Sequence, residues 1–182
     1  MNLLDSIVSQ SAQLVAIRRD IHAHPELCFQ ENRTADLVAA KLTEWGIPIH
    51  LGLGQTGVVG IIKGGDSGRA IGLRADMDAL PLQEFNTFDH ASRHQGKMHA
   101  CGHDGHTAML LAAAQHLAKH RHFDGIVYVI FQPAEEGGGG AREMIKDGLF
   151  KEFPMQAVFG MHNWPGPKVG TFAISPARSW RR

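Results

Sequence analysis

The chain has 182 residues, 43% of them hydrophobic, which is enough to bury one core, and its length predicts a single domain. Lys and Arg together number 18, as do Asp and Glu, and this balance argues against nucleic acid or an anionic membrane as a partner. No apolar run approaches the roughly 20 residues that span a bilayer, and the first residues lack the order of a secretory signal, so we expect a cytoplasmic protein.

Two helices are predicted at the start of the chain. Apolar residues at helical spacing run from Leu3 to Ile17, and the pattern stops at Pro25, which disfavours helix for the residue before it. A second helix is predicted to begin at Asn32, whose side chain is a suitable cap. It is predicted to end at Gly46, because glycine readily adopts the left-handed conformation of a helix end.

Three strands, a loop and a long helix follow. The β-branched, glycine-punctuated runs at 47–53, 57–64 and 70–77 predict strands. Residues 79–100 have no sustained period, which is typical of a surface loop. The strong helix formers in 105–120 predict a helix whose apolar face is formed by Met109, Leu110, Ala113 and Leu117.

The remaining elements complete an α/β pattern. The apolar runs at 125–132 and 157–162 predict buried strands, and a helix is predicted between them at 141–148. Alternating strands and helices indicate an α/β domain with a largely parallel central sheet. In such sheets functional groups gather beyond the carboxyl ends of the strands, and three polar segments of this chain follow that rule.

The first polar segment, "MHACGHDGH", contains Cys101 and His103 on either side of Gly102. In a tight loop both side chains can reach one small ion, although the repeated ligand pairs of a zinc finger are absent. In a reducing cytosol Cys28 and Cys101 are expected to be free thiols rather than a disulfide. The alternative is that Cys101 is a small buried hydrophobe and His103 a hydrogen-bonded histidine.

The second polar segment contains two adjacent carboxylates, Glu135 and Glu136, followed by four glycines. Neighbouring side chains point in different directions, so one carboxylate can bind a cation while the other faces the water that the cation activates. An exposed acidic turn is one alternative. A phosphate site at the following helix is another, but no phosphate-binding motif is present and the two acids would repel the anion.

The third polar segment follows the strand that ends near His162, which is either a metal ligand or a packed histidine. Asp76 and Asp78 also follow a strand, and either could orient a ligand histidine, because metal-bound imidazoles usually donate their other N–H to a carboxylate. The alternative is a turn carboxylate paired with Arg74.

A nucleophilic pair of Cys101 with His99 or His103 is a different interpretation of the same residues. It leaves the glutamates and His162 without a role, whereas a divalent ion uses all of them. Zn²⁺ suits thiolate and imidazole ligands, and a pair of ions with more carboxylates could also be Mn²⁺ or Co²⁺.

Five segments in chain order resemble the amidohydrolase branch of the M20 metallopeptidase family: "IRRDIHAHPEL", "GLRADMDALP", "MHACGHDGHTAMLLAAA", "FQPAEEGGGGAREMIKDG" and "GMHNWPG". That branch includes hippurate hydrolases, N-acyl-amino-acid amidohydrolases and indole-acetyl-amino-acid hydrolases. The resemblance implies a zinc-exopeptidase-like domain with a mixed, largely parallel sheet flanked by helices. It also implies a site for two divalent ions (Mn²⁺, Zn²⁺ or Co²⁺) and hydrolysis of the amide bond of N-acyl-amino acids.

The resemblance also implies a role for each site residue. Glu135 matches the general base, and Asp78 is similar to the aspartate that supports the metal site. Asp76 stands where the wider family often has a metal-binding histidine. The residues that match metal ligands are Cys101, His103, Glu136 and His162.

Members of the family continue into a lid domain that forms the dimer interface and then return to the catalytic domain with a further metal-binding histidine. We therefore expect residues 1–176 to be the amino-terminal part of a catalytic domain without the lid and dimer interface. Residues 177–182 are expected to be the aberrant tail of a truncated or frameshifted product. A non-catalytic metal-binding remnant and a thiol hydrolase that depends on Cys101 remain alternatives.

Overall fold

A five-stranded sheet forms the centre of the computed structural model, which describes residues 7–174. The strands lie in the spatial order β1-β2-β4-β3-β5. They are β1 (Ile49–Leu53), β2 (Gly57–Lys63), β3 (Ala70–Asp76), β4 (Ile126–Gln132) and β5 (Ala157–Gly160).

Strand β2 is antiparallel to both β1 and β4, whereas β3 is parallel to both β4 and β5. Four of the five strands therefore point in the same direction. The predicted mixed, largely parallel sheet is confirmed. The predicted tail at 177–182 and the start of the first predicted helix at Leu3 lie outside the described residues.

Helices cover both faces of the sheet. The helices α1 (Ser11–Ala23), α2 (Asn32–Glu44) and α3 (His103–Lys119) pack on one face, and α4 (Gly140–Lys146) and α5 (Leu149–Glu152) on the other. Within residues 7–174 no helix combines the length and apolar character needed to cross a membrane.

Each face of the sheet has its own core, because alternate side chains of a strand point to opposite faces. Residue 58 of β2, for example, packs towards α1–α3, and residue 59 packs towards α4 and α5. The first core contains Ile17, Ile21, Val38, Leu42, Val58, Ile62, Leu110, Leu111, Val127, Val129 and Phe131. The second core contains Leu53, Val59, Tyr128, Ile130, Met144, Leu149 and Phe153.

The predicted ends of the first two helices are confirmed, but the first is interrupted by a turn and the second begins differently. A turn at residues 9 and 10 precedes α1, so the described part of the apolar pattern, from Ile7 to Ile17, is not one continuous helix. Asn32 is the first residue of α2 rather than its cap, and its side-chain amide donates to the Gln30 carbonyl at 3.4 Å. Glu31 occupies the cap position, and its carboxylate is directed away from the helix.

The apolar face predicted for α3 is wrong by part of a turn. Met109 is 43% exposed, whereas Leu110, Leu111 and Ala114 form the buried side of the helix. Residues 108–114 are all Ala, Leu or Met, so the sequence pattern does not single out one stripe.

Strand β5 is an edge strand, whereas the sequence predicted a strand covered on both faces. Val158 is 43% and Phe159 57% exposed. Helix α5 has only four residues and was not predicted. Residues 79–100 form the predicted irregular segment. An isolated bridge between Leu80 and Met98 lies within this segment, and a second one from Leu27 to Ala79 joins it to the rest of the fold.

Candidate metal centre

The candidate site lies where three neighbouring parallel strands end. Beyond the carboxyl ends of β3, β4 and β5 the chain carries Asp78, the Glu135–Glu136 pair and His162. Cys101 and His103 reach the same place from the start of α3, where Gly102 adopts a positive φ of 88°. The fold therefore brings together the segments that the strand-end rule predicted would meet.

Three groups of donor atoms are close enough to hold a cation, and two of them are made of the predicted ligands and the predicted general base. Ligand atoms of Cys101, His103 and His162 lie within 4.8 Å of one another, and the same limit holds for His103, Glu135 and Glu136. The Cys101 Sγ atom is 3.3 Å from His162 Nε2, and His103 Nε2 is 3.9 Å from Glu136 Oε1. His103 belongs to both groups, so the two groups are adjacent.

The hydrogen bonds of the two histidines fit a divalent ion. His103 Nδ1 is 2.8 Å from the Asp78 carbonyl oxygen, which can only accept, so Nδ1 carries the proton. His162 Nδ1 likewise donates to the Asn163 carbonyl at 2.6 Å. In each ring Nε2 keeps its lone pair, and His103 Nε2 is buried without a hydrogen-bond partner among residues 7–174.

Asp78 supports the site in two ways, and it is only 1% exposed. Its Oδ1 atom is 3.2 Å from His103 Nδ1 and helps to fix that ring. Its Oδ2 atom accepts the backbone N–H of Glu136 at 2.8 Å. The histidine segment and the glutamate segment are thus linked through one carboxylate.

Asp76 has a separate set of partners. It accepts from His106 Nδ1 at 2.6 Å and from Arg74 at 2.7 Å, so the Arg74 pairing considered from the sequence is present as well. His106 Nε2 accepts the backbone N–H of Asn163 at 3.0 Å and contacts its side-chain amide. Asp76, His103 and His106 also have donor atoms within 4.8 Å of one another, but both His106 nitrogens are already hydrogen-bonded.

The sequence analysis assigned no role to His106 and Asn163. His106 lies one helical turn after His103, a spacing that places two side chains on one face of a helix, and this was the signal available in the sequence. Asn163 adjoins His162 and gave no separate signal. Together they connect the end of β5 to α3, which helps to fix the position of His162.

The buried charges shift several pKa values. Burial alone would raise the pKa of Asp76, but the His106 hydrogen bond and the Arg74 charge outweigh it and lower the pKa to about 2. Burial would lower the pKa of His103, yet Asp78 and Asp76 raise it. Burial and the neighbouring Glu136 raise the pKa of Cys101 to about 12.

The imidazole within hydrogen-bond distance of the Cys101 thiol belongs to His162, not to His99 or His103 as the nucleophile interpretation supposed. His99 is 4% exposed, and burial lowers its pKa to about 4. Both cysteines are free thiols, as predicted.

The fold and this cluster define a class of α/β protein with a carboxylate, imidazole and thiol centre at the strand ends. Residues 72–177 match the family described as Peptidase family M20/M25/M40, and the chain belongs to this family. The resemblance seen in the sequence is therefore confirmed.

Individual relatives agree with this assignment. The chain is 53% identical over 165 residues to hippurate hydrolase of Campylobacter jejuni, covering 91% of this chain and 43% of that protein. It is 49% identical over 150 residues to IAA-amino acid hydrolase ILR1-like 2 of Arabidopsis thaliana, covering 82% and 34%. The chain thus spans less than half the length of these relatives.

A solved structure gives the same result. The Bacillus subtilis YXEP protein, described as a dinuclear metal binding peptidase from the M20 family, superposes with a TM-score of 0.82 at 44% identity. The match covers 86% of this chain and 44% of that chain.

Proposed function

We propose that the protein is a metal-dependent amidohydrolase that cleaves the amide bond of N-acyl-amino acids such as hippurate. The observation that carries this proposal is the position of His103, whose buried Nε2 has no hydrogen-bond partner in the described part of the chain and lies in both the thiolate group and the glutamate group of candidate ligands. The names of the relatives support the substrate class, because hippurate and IAA-amino acids each join an acyl group to an amino acid. Residues 1–176 would be the amino-terminal part of the catalytic domain, and the cytoplasmic location stays a prediction.

The proposed ligands suit divalent ions of intermediate hardness. Cys101, His103 and His162 would hold one ion, and Glu136 would complete the centre with His103 nearby. Thiolate and imidazole favour Zn²⁺, and the carboxylates are also compatible with Mn²⁺ or Co²⁺. When bound, such ions polarise a scissile carbonyl and lower the pKa of a bound water.

Glu135 is the proposed general base. It is exposed and adjoins Glu136, so its carboxylate can face a water while Glu136 faces the centre. A carboxylate oxygen of Glu135 would accept the proton of the attacking water and deliver it to the nitrogen of the leaving amine. Asp78 would keep His103 in the tautomer whose Nε2 lone pair is available, and it would hold the Glu136 backbone.

The environment of Cys101 argues against a thiol nucleophile. A nucleophilic cysteine needs a lowered pKa, whereas burial and Glu136 raise the pKa of this thiol to about 12. The same surrounding carboxylates favour a divalent cation, whose charge would turn Cys101 into a thiolate ligand. The chemistry of the donor set therefore supports ligation rather than attack.

Metal binding by the full chain is the first test. Co²⁺ bound to a thiolate gives a charge-transfer absorption band, and we expect this band with the wild-type protein. Cys101→Ser should abolish it, whereas the matched control Cys28→Ser should retain it, because Cys28 belongs to none of the candidate ligand groups and its Sγ atom lies 3.9 Å from Asp78 and 3.7 Å from the Glu136 carbonyl. A band that survives Cys101→Ser would contradict the proposed ligand set.

Turnover of hippurate with Mn²⁺, Zn²⁺ or Co²⁺ is the second test. We expect chelator-sensitive hydrolysis that Glu135→Gln reduces by a factor of about 100 or more while metal binding persists. Glu143→Gln is the control, because Glu143 lies on α4 and pairs with Arg142 and Lys146 away from the centre. Metal binding without turnover would favour the non-catalytic alternative, and chelator-resistant turnover lost in Cys101→Ser would favour the thiol hydrolase.

A further inference from the structure

We propose that Glu31, which lies outside the candidate ligand set, is a positioning residue that aims Glu135 and Glu136 by holding Ala134 in a strained backbone conformation. This inference rests on the proposed function. It assigns a role to a residue that neither the sequence pattern nor the metal-ligand chemistry singles out.

Glu31 is a fully buried carboxylate with three donors around it. The residue is 0% exposed, and it precedes α2 without capping that helix. Its Oε1 atom accepts the backbone N–H of Phe29 at 3.0 Å and of Ala134 at 2.9 Å. Its Oε2 atom accepts the Thr56 hydroxyl at 2.6 Å.

The two residues that donate their N–H groups to Oε1 are both strained. Phe29 has a φ of 60° and Ala134 a φ of 51°, a region that residues other than glycine rarely adopt. Only one more non-glycine residue in the described part of the chain, Gln55, has a positive φ. Such conformations persist only where the surrounding structure over-determines them, and Glu31 supplies a shared acceptor for both.

Ala134 is the residue directly before the glutamate pair. Its carbonyl accepts the Gly140 N–H at 3.0 Å, so both of its backbone polar groups are hydrogen-bonded. On the other side of Glu135, the Glu136 N–H donates to Asp78 at 2.8 Å. Two buried carboxylates therefore hold the backbone N–H groups of Ala134 and Glu136, the residues that flank Glu135, and they restrict the directions in which the Glu135 and Glu136 side chains leave the backbone.

The test is a Co²⁺ titration of the full chain and its variants, with urea unfolding of the metal-free proteins measured in parallel. Removing a residue that orients a ligand typically costs 10–100-fold in metal affinity, so we expect Glu31→Ala to weaken Co²⁺ binding by about that factor. Glu31→Gln should retain binding, because the amide oxygen can still accept both N–H groups while the amide nitrogen faces Thr56.

Glu26→Ala is the matched control for general destabilisation. Glu26 also accepts backbone N–H groups at the start of α2, from Arg33 at 3.0 Å and Thr34 at 2.8 Å, but it does not contact Ala134. This variant should lose stability without losing Co²⁺ affinity. If Glu26→Ala weakens Co²⁺ binding as much as Glu31→Ala does, the positioning role is overturned.

A rescue variant tests the mechanism. Glycine adopts positive φ without the side-chain penalty, so Ala134→Gly should restore part of the affinity lost in Glu31→Ala. Unchanged binding in Glu31→Ala, or no recovery in the double variant, overturns the proposal.

Three further outcomes each have a defined consequence. If Glu31→Ala does not fold, Thr56→Val is measured in its place. This near-isosteric change removes the hydroxyl that donates to Glu31, so it should also weaken Co²⁺ binding. Unchanged Co²⁺ binding in Thr56→Val overturns the proposal. If the wild-type chain binds no Co²⁺, the proposed function fails together with this inference. If wild type binds and Glu31→Ala binds equally well, this inference alone fails.

Discussion

Substituting Gly102 by alanine is expected to disturb the metal centre through Asn163. A Cβ atom at Gly102 would lie 2.5 Å from Asn163 Oδ1 and 2.8 Å from its Cγ, so the asparagine side chain has to move. That movement breaks its contact with His106 and releases the segment that holds His162.

The size of the effect has two parts. Gly102 has a φ of 88°, and placing a side chain in that region costs about 1–2 kcal/mol. Loss of the hydrogen bond from the Asn163 backbone N–H to His106 Nε2, as this segment shifts, adds about 1 kcal/mol. Gly96 provides a matched control, because it has a φ of 72° but nothing within 4 Å of an added Cβ. Gly96→Ala should therefore show the backbone cost alone.

Urea unfolding and Co²⁺ titration of both variants measure these effects. We expect Gly102→Ala to lose about 2–3 kcal/mol of unfolding free energy and Gly96→Ala about 1–2 kcal/mol. Because the disturbed segment carries His162, which is a proposed ligand, Gly102→Ala should also bind Co²⁺ about 10–100-fold more weakly. Equal Co²⁺ affinities of the two variants would refute the coupling from Asn163 to His162.

Three further predictions concern the buried charges, the core and the metal. In the folded protein the pKa of Asp76 is about 2, below its ordinary value of 3.8. In chelator-treated samples, the difference in unfolding free energy between wild type and Asp76→Asn should therefore fall by about 2 kcal/mol as the pH decreases from about 4 to below 2. A difference that stays constant over this pH range would contradict the prediction. Leu111→Ala should lose about 2–5 kcal/mol of unfolding free energy, measured with urea, because Leu111 is buried. Met109→Ala should lose far less, because Met109 is exposed. Equal losses in the two variants would contradict the packing of α3. A metal ion at 100 times its Kd should raise the unfolding free energy by about 3 kcal/mol. The gain should be smaller at pH values below the raised pKa of His103, because a proton then competes with the metal ion. Calorimetry measures this gain, and Cys101→Ser should show none.

The positions of most strands and helices could be predicted from the sequence because their signals are local. The proximity of the three polar segments could be predicted for the same reason. A glycine-punctuated run with β-branched residues located β3, and a continuous apolar run located β4. The rule that polar groups gather at strand ends then predicted that Cys101, His103 and Glu136 lie close together. The same reasoning could not choose between Asp76 and Asp78. That choice depends on which histidine each aspartate meets across 25 or more residues of chain, as in the contacts His103–Asp78 and His106–Asp76.

Features that depend on tertiary packing were missed. Asn32 is a good cap by residue type, but Glu31 occupies the cap position because its carboxylate is directed to Ala134, 103 residues away. The exposure of Phe159 follows from the edge position of β5, which element order alone does not determine. In each case the deciding partner is distant in sequence, so no local pattern contains it.

The two aspartates at the end of β3, Asp76 and Asp78, decide which histidine is free to bind a cation. Met77 between them points into the core, so Asp76 and Asp78 both face the centre. Buried carboxylates are tolerated only with partners, and each takes a different histidine through Nδ1. His106 then uses its second nitrogen for Asn163, whereas His103 keeps Nε2 unpartnered within the described residues. If the two aspartates exchanged their histidine partners, His106 rather than His103 would have the free ring nitrogen. A cation would then lose the histidine that belongs to both the thiolate group and the glutamate group.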